Sequence, residues 1–168
     1  MKLIRPKEEY LPQYREAVHE DIKYRPHVAG IFSDPNKVIA YASNLEKGID
    51  LPPGYVKATT FWLIDGEKFI GQIGIRHQLT PALLQFGGHI GYEVRWSESG
   101  KGYGTKMLQM ALPFCRSDLG LDRVLITCDE DNLASRRVIE KNGGIFENQV
   151  INHLARGRVK TRRYWISL

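Results

Sequence analysis

Cysteine is scarce: the chain has two, Cys115 and Cys128, with no CxxC pair and no metal-ligand spacing. A disulfide-built scaffold is thereby excluded, and two reduced, buried thiols of a cytosolic protein are expected. The five histidines show no HxxH or HExxH spacing, so no catalytic metal is expected. Asp129-Glu130-Asp131 lacks the glycine and the distant glutamate of a calcium loop and reads as an acidic turn before a helix. No apolar run approaches the length of about 18 residues that spans a bilayer. The opening MKLIRPKEEYLPQYREA has no signal-peptide core. These absences predict a cytoplasmic protein with no membrane partner. There is no repeat, linker or low-complexity segment, so residues 1–168 are read as a single domain. The excess of 24 Lys and Arg over 19 Asp and Glu gives a net charge of +5, which attracts anions without naming a partner.

Residues 2–5 read as a strand and 7–24 as a helix. Asp34 and Pro35 mark a second helix start, with Val38, Ala42 and Leu45 on one face and Gly48 as its stop. Residues 58–76 form a hairpin about Asp65-Gly66, a dipeptide favoured in type I′ turns. His89 to Val94 is a strand. Residues 102–118 follow as a helix whose apolar stripe includes Leu108, Ala111, Leu112 and Cys115. Pro113, inside it, predicts a bend. DRVLITC is a buried strand, 132–142 a short helix ended by Gly143-Gly144, and 145–168 two strands joined near Gly157. The order predicts an α/β (α+β) fold, a mixed, mostly antiparallel central sheet with helices on both faces.

Ser99-Gly100-Lys101-Gly102-Tyr103-Gly104 lies between a strand and a helix. Glycines let main-chain N–H groups approach an anion, and the helix start adds unpaired donors and a positive dipole end. A flexible turn that binds nothing has the same composition. The segment is neither a P-loop, which needs GxxxxGK[ST], nor a dinucleotide fingerprint, whose third glycine falls one place later.

SGKGYG followed by TKML, with LITCDEDNLASRRVIEKNGG downstream, resembles the GNAT superfamily of acetyl-CoA-dependent N-acetyltransferases, and most of all a bacterial subgroup with RVLITCD-like strands. The family loop reads R/Q-x-x-G-x-G/A. Its later segment reads N-x-x-S, then Y-E-K and a glycine, matched here by Asn132, Ser135, Glu140, Lys141 and Gly143. The resemblance covers residues 58–167 well and the N-terminal helices only by order. It implies a GNAT-like acyl-CoA N-acyltransferase fold and acetyl-CoA as co-substrate, bound at Val94, Arg95, Ser99, Gly100, Lys101, Gly102, Tyr103, Gly104, Thr105, Asn132 and Ser135. Lys101 would neutralise phosphate charge and Thr105 would hydrogen-bond it. The sequence departs from the family at Ser99, where Arg or Gln is usual, and at Ile139, where many members place a proton-donating tyrosine.

The resemblance further implies direct attack of a primary amine on the thioester, with the fourth and fifth strands splayed around the pantetheine arm. Main-chain groups from Glu93 to Arg95 would pair with that arm, and an N–H near Tyr92 to Val94 would polarise the acetyl oxygen. A lysine-like amine of pKa ~10.4 costs about 4.6 kcal/mol to deprotonate at pH 7, whereas a thiolate of pKa ~8.5 leaves nearly unassisted, so a base matters more than an acid. The candidates are Glu93 and His89, which share a strand face. An ion-paired Glu93 and an exposed His89 are the bland counterparts. Cys128 has no histidine partner in sequence and reads as a core residue. The acceptor is expected to be a small-molecule or peptide amine, and a non-catalytic acyl-CoA-binding module is the alternative. Arg156, Arg158, Lys160, Arg162 and Arg163 read as a solvated hairpin tip, which disfavours nucleic acid as a partner. Trp62, Phe61 and Tyr55 suit either core or pocket. The last hairpin offers an edge through which a homodimer can form.

Overall fold

A computed structural model describes residues 1–26, 34–154 and 157–168. Strands β1 (Lys2–Ile4), β2 (Ala58–Asp65), β3 (Lys68–Arg76) and β4 (Ile90–Val94) form an antiparallel sheet in that order. A second antiparallel sheet has the order β5 (Arg123–Asp129), β7 (Gly157–Ser167), β6 (Ile145–Leu154). The helices are α1 (Leu11–Tyr24), α2 (Val38–Lys47), α3 (Pro81–Gln85), α4 (Tyr103–Ser117) and α5 (Leu133–Lys141).

Local chemistry explains most boundaries and the departures from expectation. A single 3₁₀ turn, Glu8–Tyr10, precedes α1, whose second residue is Pro12, a residue suited to a first turn because it lacks an N–H. The Asp34 carboxylate accepts from the Asn36 N–H at 2.9 Å, and α2 begins at Val38, later than Pro35 suggested. Gly48, at φ +75°, ends α2 as expected. In the β2–β3 hairpin Asp65 pairs with Lys68, so Gly66 and Glu67 are the central residues. Positive φ falls on Gly66 alone, the signature of a type II′ turn rather than the expected I′. Helix α4 continues unbroken through Pro113, four residues from its end, where the proline removes only the bond to the Gln109 carbonyl. The connection over residues 79–88 contains α3, capped by the Thr80 hydroxyl, which accepts from the Leu83 N–H at 3.2 Å.

Alternation along β2 and β3 divides the core. Phe61, Leu63, Ile73 and Ile75 pack with Met107, Leu108 and Ala111 of α4 and with Val124 and Ile126 of β5. On the other face Trp62, Ile64 and Phe69 pack with Tyr14 and Ala17 of α1 and Val38 of α2. Trp62 is fully buried and stacked on Tyr14 at 4.8 Å, so it belongs to the core.

The two sheets meet at the start of β4. The His89 N–H donates to the Leu125 carbonyl at 2.7 Å, and the Leu125 N–H donates to His89 Nδ1 at 2.9 Å. Gly88 packs so closely there that a Cβ would collide with the Leu125 carbonyl. Beyond this junction β4 and β5 share no ladder. They head toward the same end, since the Tyr92 hydroxyl reaches Ser135 of α5, the element that follows β5. The sheet is thereby parted along the second half of β4.

Candidate active site

Strand β4 sorts its residues to three directions. Arg76 N–H donates to His89 O and Arg95 N–H to Ile70 O, so in this register the main-chain groups of Gly91 and Glu93 pair with β3. Those of Tyr92 point into the gap beside β5, whereas those of Val94 are taken, the carbonyl by Arg25 at 3.0 Å and the N–H by the Glu93 carboxylate, which disfavours the expected main-chain contact of Val94 with a coenzyme arm. The Tyr92 side chain packs against the α4 face, where its hydroxyl lies 2.8 Å from Ser135 Oγ. Burial, relieved in part by the Ser135 bond, pushes the Tyr92 phenol well above its ordinary range.

Glu93 points to the opposite face, into a cavity of about 550 Å³ roofed by α2 and the loop carrying Tyr55. Its carboxylate accepts from Arg25 Nη1 at 2.5 Å. Burial raises its pKa, opposed by the Arg25 charge and hydrogen bond and by the Val94 N–H, and aided by the Asp21 carboxylate. Arg25 also pairs with Asp21 and donates to the Val94 carbonyl at 3.0 Å. Glu93 is thus both ion-paired and at a cavity wall. Arg25 and Asp21, more than 65 positions upstream, carry no sequence signal that links them to it.

His89 is set apart from this cavity. It is 5% exposed, its Nδ1 lone pair is committed to Leu125, and burial together with the Arg76 charge lowers its pKa to about 4. A neutral ring so weakly basic is a poor general base, which corrects the expectation of an exposed strand-end histidine. Its role here is to pin β4 to β5.

The glycine loop opens at the far end of β4. Gly100 and Gly102 adopt φ of +79° and +84°, and a Cβ on either would meet nothing within 4 Å. Gly102 is the N-cap of α4, and no side chain caps that end. The first-turn N–H groups, those of Tyr103, Gly104 and Thr105, therefore lack intrahelical acceptors. Gly104 differs: it is buried, and a Cβ there would lie 3.2 Å from Val138 of α5. Lys101 stands beside the mouth with its ammonium 3.0 Å from Glu98, a buried carboxylate that Lys68 also pairs and whose pKa these bonds lower. The Ser99 hydroxyl donates to the Arg95 carbonyl at 3.3 Å. The Asn132 side chain caps α5 by accepting from the Ser135 N–H at 3.0 Å.

Arg95 is turned away from the mouth. Its guanidinium, 3% exposed, is held by Glu20, by Glu16 and by the Phe69 carbonyl. Its N–H bonds to Ile70, and its carbonyl accepts from the Glu98 N–H. A coenzyme contact through Arg95 is thus disfavoured, because the chain has already left the β4 edge. Ile139 is fully buried and donates nothing. Cys128 is buried, and burial, with the nearby Asp129 charge, pushes its thiol up to about 11, too high for a nucleophile at neutral pH. Of the basic cluster, Lys160 pairs with Glu130 and Arg163 with Glu147, each at 3.1 Å, and Arg156 lies outside the described residues. No helix among the described residues is long and apolar enough to cross a membrane.

The sequence matches the acetyltransferase (GNAT) domain family over residues 3–145. No curated protein matches it. Among solved structures, RimL, a ribosomal L7/L12 α-N-protein acetyltransferase in complex with coenzyme A, superposes with a TM-score of 0.73 at 17% identity, covering 99% of this chain and 93% of that one. A mutant of the spermidine N-acetyltransferase SpeG from Vibrio cholerae gives 0.68 at 11%, covering 99% and 95%. MccE, a microcin C7 self-immunity acetyltransferase bound to acetyl-CoA and AMP, gives 0.71 at 16%, covering 99% and 91%. Identities this low establish the fold alone. The family match establishes more: the chain belongs to the GNAT acetyltransferase family.

Proposed function

We propose that this chain, as a family member, transfers the acetyl group of acetyl-CoA directly to a primary amine held in the Glu93 cavity. The observation that carries the reading is the parting of β4 from β5 between two different environments. Unpaired N–H groups of α4 open at one end of the gap, and a half-buried carboxylate faces a cavity beside it. The residues present fit the coenzyme. The α4 first turn and the αL glycines suit a diphosphate, with Lys101 adding positive charge. The Tyr92 main chain, directed into the gap, suits an extended amide-bearing arm. When bound, acetyl-CoA supplies an activated acetyl group as a thioester.

The chain's own residues divide the remaining work by the faces of β4. Glu93 accepts the proton of the incoming ammonium, directly or through a water. Arg25 favours the ionised form of Glu93 against its burial, and the net upward shift adds proton affinity. The Tyr92 N–H donates to the acetyl oxygen, where negative charge develops. On the opposite face the Tyr92–Ser135 hydroxyl pair stands where Ile139 offers no donor; with the Tyr92 pKa raised it can hydrogen-bond the departing sulfur but not protonate it, so the thiolate leaves as such and the second proton, shed by the nitrogen as the amide forms, passes to it through solvent. The burial of Ile139 also favours a second reading, acyl-CoA binding without turnover.

A thiol-release assay across amine classes separates the two. Under the proposal, free thiol appears with at least one amine, Glu93→Gln lowers kcat/KM by about 10²- to 10⁴-fold, the usual contribution of a general base, and His89→Ala leaves the chemical step intact wherever the protein remains folded. Coenzyme binding with no thiol release from any amine would leave the second reading standing.

A further inference from the structure

The cavity wall carries one guanidinium with no carboxylate to neutralise it. Arg76, half-buried, spends Nη1 on the carbonyls of Gly87 and Gly88, at 3.1 and 3.0 Å. No acidic residue among the described ones pairs with it, and burial alone works against its charge. A charge kept in such a place is expensive unless something pairs with it. The opposite end of the same cavity has the opposite balance. There Glu93, on the wall, shares Arg25 behind it with Asp21, whose buried Oδ2 has no partner among the described residues.

Strand register sets these two ends on one face and clears the space between them. Gln72 is opposite Glu93, Gly74 is opposite Gly91, and Arg76 follows two residues on. A Cβ on Gly91 would meet nothing within 4 Å, and one on Gly74 only the Gly91 carbonyl at 4.0 Å. The floor between Glu93 and Arg76 is therefore bare main chain. Four residues of β3 give it a length of about 13 Å at the usual rise of an antiparallel strand. Tyr55, on the loop that with α2 roofs this floor, is exposed at the cavity's rim.

We infer that Arg76 is a specificity-determining residue and that the acceptor is an amine carrying an anionic group on the order of 10 Å from its nitrogen, the amine at Glu93 and the anion at Arg76. The inference rests on the acceptor reading of this cavity given above. A short peptide with a free α-amine and a carboxylate or phosphate two residues on has these dimensions. A polyamine does not suit the Arg76 end, because its second cation would meet the unpaired guanidinium.

The test uses triglycine, triglycinamide, glycyl-glycyl-O-phosphoserinamide and spermidine. Each is titrated calorimetrically into the intact protein, with and without coenzyme A, and each is assayed for thiol release from acetyl-CoA. Triglycine or the phosphopeptide should bind roughly ten- to a hundredfold tighter than triglycinamide, the range expected for a hydrogen-bonded charge pair. Preference between these two identifies the anion. Arg76→Gln should remove the difference between acid and amide, and a cooperative thermal unfolding transition shows that the variant is folded. Arg76→Lys should restore part of it. Equal affinity for acid and amide, binding of neither, tighter binding of spermidine, or equal weakening of acid and amide by Arg76→Gln would each overturn the inference. Anion-selective binding without thiol release would leave it standing and remove the transferase reading. Thiol release that ignores the anion would do the reverse.

Discussion

At the scale of single residues, the site depends on how Glu93 is held. Burial raises its pKa, and Arg25 opposes that shift from 2.5 Å away. A base must be unprotonated to work, so the acid limb of kcat/KM should lie above the ordinary glutamate range. Arg25→Gln removes the opposing charge. The limb should then move to still higher pH, with the plateau rate reached only in more alkaline buffer, and Arg25→Lys should return it part of the way. A limb that stays put in Arg25→Gln would show that Arg25 serves packing alone. Nothing in the sequence announces this pairing, because the partners are 68 positions apart and joined only by the fold. Glu93 itself was legible as a base candidate, since period-two alternation puts it on a defined face of β4. His89 follows the same alternation, yet it is buried where a strand-end position suggests exposure. The strand pattern gives the face of a residue and not what covers it, and here Leu125 of the other sheet does.

At the scale of elements, two glycines two positions apart have different jobs. Gly102 starts α4 at φ +84° with open space around it, whereas Gly104 is pressed against Val138. Gly102→Val should cost about 1–2 kcal/mol of local strain and obstruct the mouth, so coenzyme affinity should fall far more than stability. Gly104→Val should instead push α5 from α4, lowering the melting temperature before it touches affinity. The glycine run reads from sequence as a strand-to-helix turn whose main chain can approach an anion. The division of labour within it is not legible there, because α5 is 29 positions downstream of Gly104 to its first residue Leu133. The junction of β4 and β5 has its own pH signature. His89 is neutral in the fold, with its pKa lowered from 6.5 to about 4, and titrates near its ordinary value when unfolded. Below pH 6.5 the unfolded chain takes up a proton that the native one refuses. Stability is therefore fully present above about 6.5 and lost as pH falls toward 4, by on the order of 3 kcal/mol. Denaturant titrations between pH 7 and 4.5 should show this loss in the parent protein and a shallower slope in His89→Asn.

At the scale of the whole molecule, the order of elements carries the fold class and its antiparallel character, since hairpins impose antiparallel neighbours and the helix between 102 and 118 can only cover a sheet face, but not the division into two antiparallel sheets or the order β5-β7-β6. The parting of the sheet entered by family resemblance, because the sequences of β4 and β5 are ordinary strand sequences with nothing that says they will not pair. The structure supplies the cause: a histidine that ties their starts, and a Tyr92–Ser135 bond that ties β4 to α5 rather than to β5. Two sheets joined at one end make a body in which the Tyr92 main chain faces the open gap. A ligand that pairs with Tyr92 and lies between the sheets should stabilise both halves together. At a coenzyme concentration a hundredfold above Kd the gain is about 2.7 kcal/mol, which for a chain of this size raises Tm by roughly 5–10 °C. The gain should be local in origin. Hydrogen exchange should slow at Tyr92 and at Tyr103 to Thr105, whose N–H groups face the gap and the mouth, while β1 and the β2–β3 hairpin change little. Protection spread evenly over β1 to β3 with none at Tyr92 would mean that the coenzyme binds outside the parted sheet, and the position assigned to the thioester would be wrong.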